Sequence, residues 1–264
     1  MKLKLGIFDS GIGGFTILNS LLVRNKNVEV IYLADMERNP YGELKREEIR
    51  LIATQICHWF KDKELDALLV ACNTTNSYAL DILRNRLKVP CFDLINSVSD
   101  IISSNIIGII ATTATVRSSF YKNTIELKDK NIKVFQQPCP EFVTEIEKIT
   151  LDFDRINDLC DIYLEPLLDQ NIQEIILGCS HYPLIYDILR KKIPSKIKII
   201  DPSLALIDKF NKYFYKQEKY CCDKASYENV NFFVTGKIEE FSIKVSNWLE
   251  INKKISLVDL RTNA

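Results

Sequence analysis

The chain has 264 residues with 35 basic and 35 acidic side chains, and 47% of its residues are hydrophobic. That length holds two domains with proper cores, and the charge balance offers no surface for a polyanion, so nucleic acid is not an expected partner. The charged residues alternating through Met1-Lys2-Leu3-Lys4-Leu5 leave no apolar core for a signal peptide, and no apolar run approaches membrane thickness, so the chain reads as cytosolic with no membrane partner.

In order, strand-like and helix-like segments alternate almost without a break, which predicts a parallel α/β architecture. Leu3 to Phe8 reads as a strand, Asp9-Ser10-Gly11-Ile12-Gly13-Gly14 as a tight turn, and a helix runs on through Leu22. Val28 to Ala34 is the second strand, and Pro40 and Gly42 break the loop before an amphipathic helix from Glu43 to Phe60. Ala67 to Ala71 is a strand, a helix follows to Leu87, and Val89 to Ile95 is a fourth strand. The scheme then repeats: strand Ile106 to Ala111, helix Thr115 to Leu127, strand Ile132 to Gln136, and helices around Phe142 to Ile149 and Phe153 to Leu168. The strand Ile175-Ile176-Leu177 comes next, and Pro183 suits the first turn of the helix after it. Strand Lys198 to Ile200, helix Leu204 to Tyr215, strand Val230 to Val234 and helix Ile238 to Leu249 complete the chain. The expected fold is α/β: two similar domains, each a parallel-type sheet flanked by helices, with the active site at the domain interface.

Two of these strands stop in the same way. Leu68-Leu69-Val70 leads into Ala71-Cys72-Asn73-Thr74-Thr75, and Ile175-Ile176-Leu177 leads into Gly178-Cys179-Ser180-His181-Tyr182-Pro183. A buried strand that ends in a cysteine and small hydrogen-bonding residues delivers a thiol to the carboxyl rim of a sheet, where ligands of α/β proteins bind. One such cysteine is most simply a core residue. Two at equivalent strand ends predict a pair of thiols facing each other across a cleft, with His181 placed to poise the second thiolate.

The other readings are weaker. Eight cysteines scattered through a long chain without an export signal predict reduced thiols; Cys57, Cys91 and Cys160 fit core positions, and Cys221-Cys222 carry no functional reading. Only two histidines, His58 and His181, and no closely spaced ligand pairs argue against a metal. The turn at 9–14 followed by Asp35 resembles a dinucleotide fingerprint, but Thr16 stands at the third glycine and Asp9 would repel a pyrophosphate.

Together, Asp-Ser-Gly-x-Gly-Gly at 9–14, Pro-Tyr-Gly at 40–42, Ala-Cys-Asn-Thr at 71–74, Thr115-Val116 with Ser118 and Tyr121, and Leu-Gly-Cys-Ser-His-Tyr-Pro-Leu at 177–184 resemble the bacterial glutamate racemases, in order and spacing past residue 200. The resemblance implies a cofactor-independent racemase in which Cys72 and Cys179 are the acid/base thiols, Asp9 attends the first, and His181 and Glu147 assist the second. It implies glutamate held by Asp9, Ser10, Tyr41, Gly42, Asn73, Thr74, Thr115, Ser180 and His181, and a product, D-glutamate, destined for peptidoglycan precursors. It also implies that the last strand and helix return to the first domain, which gives 1–95 plus 203–264 and 96–202. A homodimer is compatible with all of this, although the sequence does not set the oligomer. Ser180 stands where the family usually has threonine, and Asp35-Met36-Glu37-Arg38-Asn39 is bulkier and more acidic than the usual loop. Aspartate is the alternative substrate, but aspartate racemases resemble Gly-Cys-Thr-Glu where this chain has Gly-Cys-Ser-His.

Two thiols also suit such a reaction on chemical grounds. Inverting a stereocentre takes a base on one face of Cα and an acid on the other, and a thiol whose ordinary pKa is about 8.5 can serve as either near neutrality.

Overall fold

Apolar runs of Val, Ile and Leu without polar alternation form strands covered on both faces, which in a parallel sheet requires helices above and below. The computed structural model, which describes residues 2–215 and 224–261, has this arrangement twice. Cys221 and Cys222 lie outside the described residues.

The first half comprises β1 (Leu3–Asp9), α1 (Phe15–Arg24), β2 (Val28–Ala34), α2 (Arg46–Lys61), β3 (Ala67–Val70), α3 (Asn73–Arg86), β4 (Cys91–Asp93) and α4 (Leu94–Val98). The second comprises β5 (Ile106–Ala111), α5 (Thr113–Ser118), α6 (Phe120–Lys128), β6 (Lys133–Pro138), α7 (Pro140–Ile146), α8 (Phe153–Leu168), β7 (Glu174–Gly178), α9 (Tyr186–Lys192) and β8 (Lys198–Ile200). The chain then adds α10 (Pro202–Tyr215), β9 (Val230–Val234), α11 (Ile238–Leu249) and β10 (Ile255–Leu257). One sheet has the order β10-β9-β2-β1-β3-β4 and the other β6-β5-β7-β8. All the pairings are parallel, so β9 and β10 return to the edge of the first sheet beside β2.

The segments 2-1-3-4 and 6-5-7-8 are the same topology in both sheets. In each, successive connections leave the first strand in opposite directions, opening a crevice at the carboxyl ends of β1 and β3 and of β5 and β7. Cys72 follows β3 and Cys179 follows β7, so each thiol sits at the switch point of its own sheet.

Several segments differ from the sequence reading. The fourth strand is only three residues long, because the Asp93 side chain caps a helix by accepting from Asn96 N–H at 2.8 Å, and Leu94 and Ile95 belong to α4. The helix expected over 115–127 is broken at Ser119, which is left-handed with φ 55°; Ser118 Oγ bonds both Thr115 O and Phe120 N–H there and takes over the backbone's partners. β10 is a short strand that its sequence does not announce. The returning segment is seated by aromatic rings: Phe241 of α11 lies 5.7 Å from Phe15 and 6.3 Å from Tyr32, centroid to centroid, and all three are buried. Among the described residues no helix is long and apolar enough to cross a membrane.

Candidate active site

Asp9, the last residue of β1, is wholly buried at the first switch point. Its Oδ1 accepts the Gly11 N–H at 2.9 Å, and its Oδ2 accepts the Ser180 hydroxyl, also at 2.9 Å, from the strand-end motif of the other sheet. Burial raises its carboxyl above the ordinary carboxylate range, against the opposing pull of charged His181 and these two hydrogen bonds.

The glycines of the turn after β1 answer to this junction and not to a phosphate. A Cβ at Gly13 would lie 2.6 Å from His181 Nδ1 and 2.8 Å from the His181 backbone nitrogen. One at Gly11 would lie 2.8 Å from Asn39 Nδ2. At Gly13 the backbone of the first half therefore reaches the second motif only without a side chain, and Gly11 is crowded in the same way by Asn39 and the Glu147 carboxylate.

Cys72 is the N-cap of α3, with its thiol 3.7 Å from Ser10 Oγ. Its strand end is fixed by Asn76, whose amide donates to Val70 O at 2.8 Å and Cys72 O at 2.7 Å. Burial and the Asp9 carboxylate push the Cys72 thiol up to about 12, with Thr75 and Ser10 opposing them. At neutral pH this sulfur carries its proton and is an acid.

Cys179 meets a different partner. Its Sγ is 3.8 Å from His181 Nδ1, and His181 Nε2 is 2.6 Å from Glu147 Oε1. Burial disfavours a charged ring, yet the thiolate form of Cys179 and the Glu147 carboxylate outweigh it and raise His181 well above the ordinary imidazole value. Glu147, in spite of its own burial, falls to about 2 because His181 and Lys244 surround it. Lys244 Nζ lies 2.7 Å from Glu147 Oε2. The second thiol thus faces an imidazolium, the kind of partner that stabilises thiolates.

Around the thiols stand groups able to hold a small polar molecule. Asn73 Oδ1 accepts the Tyr121 hydroxyl at 2.7 Å, while its Nδ2 is buried with no partner, a donor left for a ligand. Thr74 and Thr115 share Thr112, with Oγ–Oγ distances of 3.0 and 2.9 Å, so three hydroxyls join α3 to the N-terminus of α5. Gly42 packs against Thr112, where a Cβ would come within 3.0 Å of the threonine Cβ. The Tyr41 hydroxyl, by contrast, is spent on Asp35, which also accepts from Arg38 Nε at 2.7 Å and Thr235 Oγ1 at 2.5 Å. Tyr41 is thereby tied to the loop before it and to the end of β9, with its hydroxyl proton given to Asp35.

The structure brings Asp9, Ser10, Cys72, Ser180, Cys179, His181 and Glu147 together: hydrogen bonds join Cys72 to Ser10, Asp9 to Ser180, and Cys179 through His181 to Glu147. These three groups meet because 9–10 and 179–181 are adjacent in the chain, while Thr74 and Thr115 meet each other and Asn73 meets Tyr121. Sequence reasoning missed Thr112, the orienting role of Tyr121, and Lys244. Only Lys244 left a legible signal: it lies three residues after Phe241 and one before Val245, on the apolar face of α11, where lysine is out of place. Among the described residues no cluster of three or more His, Cys, Asp or Glu could hold a metal ion.

Residues 22–210 match the family described as Asp/Glu/hydantoin racemase. Over 260 residues the chain is 44% identical to the glutamate racemase of Prochlorococcus marinus (strain NATL1A), covering 98% of both sequences. The fold is similar to that of a glutamate racemase from Francisella tularensis crystallised in complex with D-glutamate, with TM-score 0.88, 32% identity and 99% of both chains covered. It is likewise similar to a glutamate racemase isoform from Bacillus anthracis, with TM-score 0.88, 27% identity and 98% of both chains covered.

Proposed function

The chain belongs to the Asp/Glu/hydantoin racemase family, and from that footing we propose that it interconverts L- and D-glutamate by a two-thiol mechanism that needs no cofactor. The observation that carries this reading is that Asp9, beside the Cys72 partner Ser10 in the chain, accepts from Ser180, beside Cys179, so the strand-end thiols of two separate sheets meet at one buried carboxylate. A chain built only to bind glutamate has no use for a thiol at both switch points.

In the L-to-D direction the Cys179 thiolate takes the α-proton and becomes a thiol, leaving a planar carbanion whose charge spreads into the α-carboxylate. Cys72 then delivers its own proton to the opposite face and becomes the thiolate; the reverse reaction begins from that state. The acidity of a Cα–H beside a carboxylate is the main barrier, and preorganised donors must meet the charge as it develops. The free Asn73 amide, the Thr74 and Thr115 hydroxyls, Ser10, Ser180 and the Gly42 backbone are the groups assigned to this, with Asp9 and His181 tuning the two ends. The L-to-D direction begins from the arrangement seen here, with a proton held on Cys72 and a charged ring beside Cys179.

On this reading the cleft lies between a unit formed by 1–95 with 203–264 and another formed by 96–202. The enzyme works in the cytoplasm, as a homodimer, and supplies D-glutamate for peptidoglycan precursors. Polarimetry of L-glutamate with dialysed, chelator-treated protein tests the activity, and light scattering tests the assembly. Optical rotation should decay to zero. Activity that returns only with an added cofactor, or that acts on aspartate and not glutamate, overturns the proposal.

A further inference from the structure

Lys244 is 1% exposed, which for a lysine requires compensating charge. It has two partners, Glu147 Oε2 at 2.7 Å and Glu240 Oε1 at 2.5 Å, the second one turn earlier on the same helix. Stability alone does not account for it, because a well-packed apolar side chain of similar volume is often as stabilising as a buried ion pair, or more so. Its geometry has a direction. Glu147 Oε2 is given to Lys244, which leaves Oε1 to accept the Ile12 N–H at 3.2 Å and to meet His181 Nε2 at 2.6 Å. The other ring nitrogen of His181 faces Cys179. α11 is itself held against α1 and β2 by Phe241, so the lysine reaches Glu147 of the second half from a rigid support in the first.

We propose that Lys244 is a positioning residue for the Cys179 half of the reaction: by holding one oxygen of Glu147 it fixes the other on His181, and through the ring it sets the thiol that works on L-glutamate. Lys244 touches neither thiol and acts only through Glu147. The inference rests on the function proposed above and deepens it by making the returning C-terminal helix part of the catalytic apparatus of one face.

Isotope effects separate this role from a structural one. Raising the barrier on the Cys179 face makes that proton transfer limit the rate. The effect on kcat/KM from α-deuterated L-glutamate then grows toward its full value. From α-deuterated D-glutamate it shrinks, because the label now moves in a step that equilibrates. Partial unfolding lowers activity and moves neither effect. Lys244→Met is expected to lose kcat/KM on the order of tenfold, as for a lost hydrogen bond to a charged group, with this opposed change in the two isotope effects. Lys244→Gln keeps an N–H donor of nearly the same reach and should show the same pattern more weakly, so it carries the test if the methionine variant fails to fold. Lys244 also borders a cavity of ≈ 420 Å³ lined by Met36, Asn39, Pro40 and Val143, among others. Propylammonium, but not sodium at equal ionic strength, should therefore restore Lys244→Ala. Unchanged isotope effects in a variant that still racemises glutamate overturn the role of Lys244 alone. A wild type that does not racemise glutamate overturns the reading on which it rests.

Discussion

The two thiols occupy equivalent places in equivalent topologies and differ in what surrounds them. Cys72 is buried beside the Asp9 carboxylate, and together these hold its proton in place against the opposing hydrogen bonds of Thr75 and Ser10. Cys179 faces a ring that Glu147 keeps charged, and Lys244 in turn keeps Glu147 ionised. One fold, used twice, has given its two thiols unlike surroundings, a carboxylate at one and an imidazolium at the other, and the asymmetry comes from partners brought in from other elements. A racemase must work in both directions, so on the proposed mechanism the two ends exchange roles with each turnover.

Removing either sulfur breaks the comparison outright. Cys72→Ala and Cys179→Ala should each lose racemisation by about three orders of magnitude or more, within the range of a lost acid/base group. In heavy water, Cys72→Ala should put deuterium slowly into L-glutamate with little D-isomer, and Cys179→Ala should do the same for D-glutamate. A single-cysteine variant that racemises near the wild-type rate would mean that the two ends are not partners.

Glu147→Gln comes next, because it leaves buried Lys244 with Glu240 as its one remaining carboxylate and buried His181 without its anion. Chemical denaturation at neutral pH should show a loss of roughly 3–5 kcal/mol, the cost of breaking a buried pair from one side. The folded-state value of Glu147 lies below the ordinary carboxylate one, at about 2, so its stabilising contribution is complete above that ordinary value and is lost as pH falls through about 2. The gap between wild type and variant should accordingly narrow on acidification from pH 5 toward pH 2. A constant gap would show that charge is not what Glu147 contributes.

His181→Ala sharpens the asymmetry. We expect kcat/KM to fall about a hundredfold from both enantiomers, as an equilibrium constant of unity requires, with the isotope effect growing from L-glutamate and shrinking from D-glutamate. The reverse pattern would assign His181 to the other thiol. The smallest effect belongs to Tyr121→Phe, which removes only the hydroxyl that orients Asn73: about 1 kcal/mol, read as a roughly fivefold rise in KM with kcat little changed. A larger loss in kcat than in KM would place Asn73 on the reacting centre.

Much of this was legible along the chain because the relevant signals are local. Unbroken apolar runs mark parallel strands, and a cysteine at the end of such a run sits at a sheet rim whatever the rest of the molecule does. So the α/β class and the positions of Cys72 and Cys179 were readable, as were Asp9 at the end of β1 and His181 two residues after its thiol. Segment ends were less so: Asp93 capping α4 and Ser118 splitting α5 from α6 are choices among local hydrogen bonds, which propensity does not rank.

What the sequence determined by itself was the repeated scaffold and the chemistry it could carry, since strand periodicity and thiol reactivity are properties of a few neighbouring residues. The tertiary structure alone decided which residues modify that chemistry. Ser180 reaches Asp9 across 171 positions, Lys244 reaches Glu147 across 97, and Thr235 reaches Asp35 across 200. A lysine on an apolar face can mark one end of such a contact, but no local pattern names the other, because the free energy that offsets burying each charge comes from a partner that only folding brings alongside.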